Sequence, residues 1–262
     1  MECNKFYTIT EVSKITNVNS VTLRAWQRRY GLINPKRNPK GHRVYDQSDI
    51  NIIHQILNWL DKGVPIRKVK PLLLSDETLN HDVSNSNEDF TEVSTIIDLL
   101  LSMNRRKIQS YLNEVLKNYP YHIFYNQIFK KIQHKLKSGI IPNQEFLYDL
   151  FVNISVDIFK SIISSLNKQN TESVLIISFN YDYLHIYHDA LTLANQGYYI
   201  DFLVCANANN LTLKAYLNAN KITKVYCSHN VTLNQKQKNF ISNLDNPGIL
   251  LKKEDMMMGG NE

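Results

Sequence analysis

The sequence predicts a multidomain chain, mostly α and then α/β. A winged helix-turn-helix occupies residues 1–75, a linker 76–89, a four-helix bundle 90–170 and a doubly wound parallel-sheet domain 171–262. Three observations carry this assignment. Capping residues, glycines and prolines divide the first 75 residues into four short helices and a hairpin. Apolar residues then recur at a helical period from Phe90 to about Lys168. Beyond that, SVLIISF, YIDFLVC and TKVYCS, rich in β-branched and aromatic residues, alternate with helix-like stretches. Strands separated by helices imply a parallel sheet covered on its faces.

In the first domain, Thr8 or Thr10 can cap a helix carrying Ile9, Val12 and Ile15. Asn19 or Ser20 can cap a second carrying Val21, Leu23 and Trp26, which Gly31 ends. Pro35, Asn38, Pro39 and Gly41 mark a turn between LIN and HRVY, short runs able to pair as a two-stranded wing. Asp46 caps a third helix with Ile50, Ile53, Ile56, Leu57 and Leu60 in a stripe. Gly63 closes it, and Pro65 opens a fourth helix holding Val69, Leu72 and Leu73. Val21, Leu23, Trp26, Leu32 and Trp59 are expected in the core.

The stretch SDETLNHDVSNSNED is polar and acidic, as a linker is. Four apolar stripes follow, led by Val93, Ile108, Phe124 and Leu147, with breaks at Asn104, Pro120 and Gly139 to Pro142. Short connections between four amphipathic helices favour a bundle. In the last domain the helices begin near Asp182, Asn210 and Leu233. GILL at 248–251 is a candidate fourth strand, and the terminal MMMGGNE is read as frayed.

Charge locates the functional end. Residues 1–75 hold thirteen Lys and Arg against five Asp and Glu, a net +8, whereas the remainder holds seventeen against nineteen, a net −2. Between Val18 and Tyr45 there are seven basic residues and no acid. Such a block is the footprint expected for a polyanion partner. No run approaches the ~18 apolar residues of a membrane span, and MECNKFYTITEVSK has no signal-peptide core. With Cys3, Cys205 and Cys227 forming no CxxC pair, the expected compartment is the cytoplasm.

Two short helices joined by a tight turn place Arg24, Arg28, Arg29 and Tyr30 on a recognition helix suited to the major groove. Arginine's planar fork can hold a phosphate or the O6 and N7 edge of guanine. Lys36, Arg37, Lys40, His42 and Arg43 follow on the hairpin, with Tyr45 after them. Thr22, Arg24 and Arg28 are the expected groove contacts, and the other basic residues the expected phosphate contacts.

The run VTLRAWQRRYGLINPKRNPKGHRVYDQSDI resembles the winged DNA-binding domain of MerR-type transcription regulators, in the subset with RAWxRRYG and GHRxY. The long heptad helix that pairs subunits of metal-sensing members is replaced by the polar linker. The bundle and sheet that follow resemble the cobalamin-dependent light sensors of the CarH and LitR type and the related MlrA/BluR group. That resemblance implies a bacterial regulator with a cobalamin-binding-like Rossmann domain at its C-terminus.

The corrinoid motif of such domains is D/E-x-H-x-x-G after the first strand. Centred on His185, this sequence offers Tyr183 for the acid and His188 for the glycine. Both tryptophans, Trp26 and Trp59, precede the bundle, so the upper-face Trp is missing, as is the Glu-His pair. His185 and His188 are the only low-ranking cofactor candidates, and no third His, Cys or acid stands at zinc-ligand spacing. The expectation is therefore a degenerate domain without cofactor or metal, in the MlrA/BluR group. By that resemblance, the partners are double-stranded promoter DNA and a signalling protein of the cyclic-di-GMP or blue-light type, with a homodimer on DNA. An enzyme is not expected, since no nucleophile with base and orienter is evident. The competing expectation is a regulator with the same head that senses cobalamin or another small molecule.

Overall fold

The computed structural model describes residues 5–74, 90–204, 210–229, 232–242 and 249–250. The linker expected at 76–89, the tail MMMGGNE, and Gly248 and Leu251 of GILL lie outside these residues. The chain forms two compact units, residues 1–154 and 155–262, whose boundary falls within one long helix.

The first unit opens with β1 (Tyr7–Thr8) and α1 (Ile9–Thr16). The Thr8 hydroxyl accepts from the Glu11 N–H at 3.3 Å, and the Glu11 carboxylate accepts from the Thr8 N–H at 2.7 Å. This reciprocal cap selects Thr8 over Thr10 as the start of the helix. Asn17, in the left-handed region that asparagine tolerates, ends α1. Asn19 opens α2 (Ser20–Ala25) by accepting from the Thr22 N–H at 2.8 Å. The helix continues as a π-helical turn, Trp26–Tyr30, which Gly31 stops at φ 58°.

β2 (Lys36–Arg37) and β3 (Arg43–Tyr45) form the wing, and β1 pairs antiparallel with the other side of β3. One expectation is corrected here, and one strand is added. The first wing strand is KR, not LIN, because Leu32 and Ile33 are both drawn into the core. Strand β1 has no sequence signal, being two residues long.

α3 (Gln47–Asp61) begins at Asp46, which accepts from the N–H groups of Ser48 and Asp49 at 3.0 and 3.2 Å. The Ser48 hydroxyl, then the Asp49 N–H, hold its carboxyl below the usual range. Its stabilising contribution is thus complete above the unfolded value of 3.8 and is lost as pH falls through the lower folded value. Asp46→Ala is expected to cost about 0.5–2 kcal/mol in urea unfolding at pH 7. The gap between variant and parent should narrow as the pH is taken below 3.8.

After α4 (Ile66–Leu74) come α5 (Thr91–Leu101), α6 (Arg105–Asn118) and α7 (Tyr121–Ile123). A π-helical turn, Phe124–Phe129, leads into α8 (Lys130–Lys137), and α9 spans Gln144–Asn167. Breaks fall where the sequence places them: Asn104 caps α6 by accepting from the Lys107 N–H, and Pro120 precedes α7. The stripes face inward through Val93, Ile96 and Leu100, Ile108 and Leu112, Ile128 and Ile132, and Leu147 and Phe151. The rings of Phe129 and Phe151 lie 4.7 Å apart.

The second unit holds a parallel sheet of β4 (Glu172–Ser178), β5 (Tyr198–Val204), β6 (Lys224–Ser228) and β7 (Ile249–Leu250). Their order is β5-β4-β6-β7. Between them run α10 (Tyr183–Asn195), α11 (Asn210–Ala219) and α12 (Gln235–Ser242). Alternate side chains divide the faces. Leu175, Ile177, Val225 and Cys227 pack with Leu213, Leu217 and Phe240 of α11 and α12. On the opposite face, the ring of Phe202 lies 5.1 Å from that of Tyr187 of α10, tilted by 52°. The outer edge of β5 is covered by Asn167, which donates to Ile200 O and accepts from Ile200 N–H, each at 2.9 Å.

Candidate nucleic-acid interface

Helix α2 is fixed from behind. Leu23 and Trp26 are fully buried, and the Trp26 indole N–H donates to Asn118 O of α6 at 2.8 Å. The opposite face carries Val21, Arg24 and Arg28, at a spacing that keeps side chains on one side of a helix. Arg28 is exposed, and Arg24 is half-buried with one guanidinium N–H donating to the Ser20 hydroxyl at 3.3 Å.

The wing is bound to this face by Arg43, whose Nε donates to Gln27 Oε1 at 2.5 Å. Its turn closes through Asn38 N–H to His42 O and Gly41 N–H to Asn38 O, at 2.9 and 2.8 Å. Gly41 sits at φ 80°, a conformation that favours glycine. Arg37 stiffens the tip by donating to Gly41 O at 2.7 Å. Lys36, Arg37, Lys40 and His42 are exposed there. Lys36 Nζ is 3.6 Å from Asp46 and 5.8 Å from the Phe6 ring.

The geometry bears on five residues that the sequence singles out. Thr22 is fully buried, so it cannot touch a base edge in this arrangement; its hydroxyl finds no hydrogen-bond partner among the described residues. Tyr45 is fully buried too, which takes its side chain away from a phosphate-facing surface; burial also pushes its phenol up, so it stays neutral. Val21 is 49% exposed, not core. Arg29 is turned toward α6, where it meets Glu114 Oε1 at 2.9 Å and Asn118 Oδ1 at 3.3 Å. Tyr30 is half-buried, with its phenol raised first by burial and then by Glu92.

The structure thus brings Arg24, Arg28, Arg43 and the exposed wing residues together, and directs Thr22, Tyr45 and Arg29 elsewhere. Gln27, which joins helix to wing, was missed. Its signal was available in its place three residues after Arg24 on the same helix face.

Tyr119 strengthens the tie behind the head. Its hydroxyl donates to Glu92 Oε1 at 3.0 Å and accepts from the Ile66 N–H of α4 at 3.3 Å. Burial, then the Glu92 charge, push this phenol far up, so it stays a neutral donor.

The two histidines lie on the first turns of α10, both half-buried. Asp182 caps that helix by accepting from the His185 N–H at 3.1 Å. His185 Nε2 is 3.0 Å from His229 O and 3.4 Å from Asp189 Oδ2, and Asp189 also accepts from the Ser228 hydroxyl at 2.7 Å. Two acceptors facing one ring nitrogen require that it carry the hydrogen. It then has no lone pair in the ring plane for a metal. His185 therefore does not fit a corrinoid through this nitrogen, and the acid and glycine positions of the motif fail as well.

Such a face, a capped helix-turn-helix with a basic wing clipped to it, defines a DNA-binding regulator of the winged type. Residues 7–76 match the MerR HTH family of regulatory proteins. Over 234 residues the chain is 32% identical to the HTH-type transcriptional regulator MlrA of Escherichia coli (strain K12), covering 88% of this chain and 92% of that protein. It is 31% identical, with the same coverage, to MlrA of Salmonella typhimurium (strain SL1344). The HTH-type transcriptional repressor CarH of Myxococcus xanthus is 27% identical over 122 residues, 44% of this chain and 41% of that protein. The chain belongs to the MerR HTH family, as a transcriptional regulator homologous to MlrA. Among the described residues, no helix is long and apolar enough to cross a membrane.

Proposed function

We propose that the protein binds promoter DNA through Arg24, Arg28 and the wing, and that partner proteins control it by contacting the rear of the chain. In this reading residues 1–75 are the head, 90–170 a four-helix bundle, and 171–262 a degenerate cobalamin-binding-like domain of doubly wound type. The protein acts in the bacterial cytoplasm and sits on DNA as a homodimer.

The observation that supports control from behind is the joint at Trp26. A recognition helix hydrogen-bonded to α6 through Trp26 and Asn118, and ion-paired to it through Arg29 and Glu114, shares the motion of α6. A partner that shifts α6 therefore biases the reading face. The engagement of His185 within its own fold favours a protein over a corrinoid as the controlling signal.

The test is binding to its own upstream region as salt is raised. A dimer making ~6 to 10 phosphate contacts should weaken by ~10³ to 10⁵ between 50 and 200 mM salt. A flat titration removes the DNA assignment. An open groove of about 380 Å³ in the second unit, lined by Lys160, Asn167, Lys168, Tyr187, Tyr199 and Phe202, favours a second reading, control by a small molecule. Adding cobalamin and recording the visible spectrum separates the corrinoid form of that reading from control by a protein.

A further inference from the structure

Val21 is an apolar side chain, 49% exposed, on the basic face of α2. Folding provides no use for it there, since Val18 and Leu23 on either side supply the buried contacts. Single exposed apolar residues are common and carry little meaning alone. The position of this one adds the meaning. It lies one turn before Arg24 and two before Arg28, in the N-terminal part of the recognition helix, the part that reaches base edges in helix-turn-helix proteins. Beside it, Ser20 steadies the Arg24 guanidinium. A stripe of one methyl-bearing residue and two guanidinium forks thus faces outward from the head.

A phosphate oxygen offers no partner to a valine, and contact with the C–H groups of a sugar would carry no base preference. In the major groove the apolar feature of a base pair is the thymine C5-methyl, read by apolar side chains, while arginine reads the adjacent guanine edge. We infer that Val21 is a specificity-determining residue that packs against a thymine methyl next to the base pairs contacted by Arg24 and Arg28. This rests on the assignment of α2 as the DNA-reading helix. Because the contact is apolar, it sets base preference and leaves the salt dependence of binding untouched.

The experiment begins with selection of a bound site from a random duplex pool by the full-length protein. The selected duplex is then made with each dT replaced singly by dU, which deletes only the methyl. The parent protein should weaken roughly fourfold at one particular dT, the value expected for losing one buried methyl contact. Val21→Ala should bind the dT and dU duplexes alike, whereas Val21→Thr, which keeps a methyl, should still discriminate. Both variants should retain the parent's salt slope and circular dichroism spectrum, the side chain being exposed. Indifference of the parent to every dU, or unchanged discrimination by Val21→Ala, overturns the inference. Failure to select any site is a different result, and overturns the DNA-reading assignment on which the inference rests.

Discussion

Trp26→Ala is expected to lower the stability of the folded chain by about 3–5 kcal/mol. The side chain is fully buried, so its removal leaves a cavity that its neighbours, α6 among them, cannot close without moving. It also leaves Asn118 O without the indole N–H that it accepts from at 2.8 Å. The two losses can be separated. Trp26→Phe keeps most of the ring but not the donor, and should cost about 1–3 kcal/mol, the penalty of an unpaired buried carbonyl plus some lost packing. Urea unfolding of the full chain, followed by circular dichroism, measures both. A loss under 1 kcal/mol in the alanine variant contradicts the placement of Trp26 as the joint. If the joint also transmits control, Trp26→Phe should leave DNA binding intact while blunting the response to a partner.

The second large effect is on DNA. Arg24→Ala and Arg28→Ala should each weaken binding to a selected site by about 1–3 kcal/mol and relax the preference at one base pair. Lys40→Ala, at the exposed wing tip, should instead weaken all sequences alike and reduce the salt slope by about one. Thr22→Val supplies the internal contrast. A threonine pointing into the groove would lose affinity on this change. A threonine buried with an orphan hydroxyl should bind DNA normally, with stability equal to the parent or higher. Electrophoretic mobility shifts at two salt concentrations distinguish these cases.

These contrasts mark how far a linear reading reaches. Asp46 was legible as a cap, and the other two caps were narrowed to Thr8 or Thr10 and Asn19 or Ser20, because capping is local: a side-chain oxygen meets an N–H two or three residues away. The strands β4, β5 and β6 were legible because buried parallel strands need near-continuous β-branched and aromatic runs. LIN looked like a strand for the same reason, yet Leu32 and Ile33 are apolar because they fill the core beneath the wing. Composition cannot distinguish these uses in so short a run. Val21 and Thr22 were exchanged in role because adjacent helix positions differ by about 100°, and a six-residue helix has too little periodicity to set its own phase.

The sequence by itself determined the class of the protein: a capped two-helix motif, a basic stretch without acids, helical stripes and alternating strands, all set by contacts within a few residues. Only the tertiary structure decided which side of α2 faces outward. It also turned Arg29 toward Glu114, buried Tyr45, and joined the head to α6 through Trp26 and Asn118. The physical reason is separation along the chain. Trp26 and its acceptor lie 92 residues apart, so their pairing depends on how the helices pack and leaves no periodicity to read.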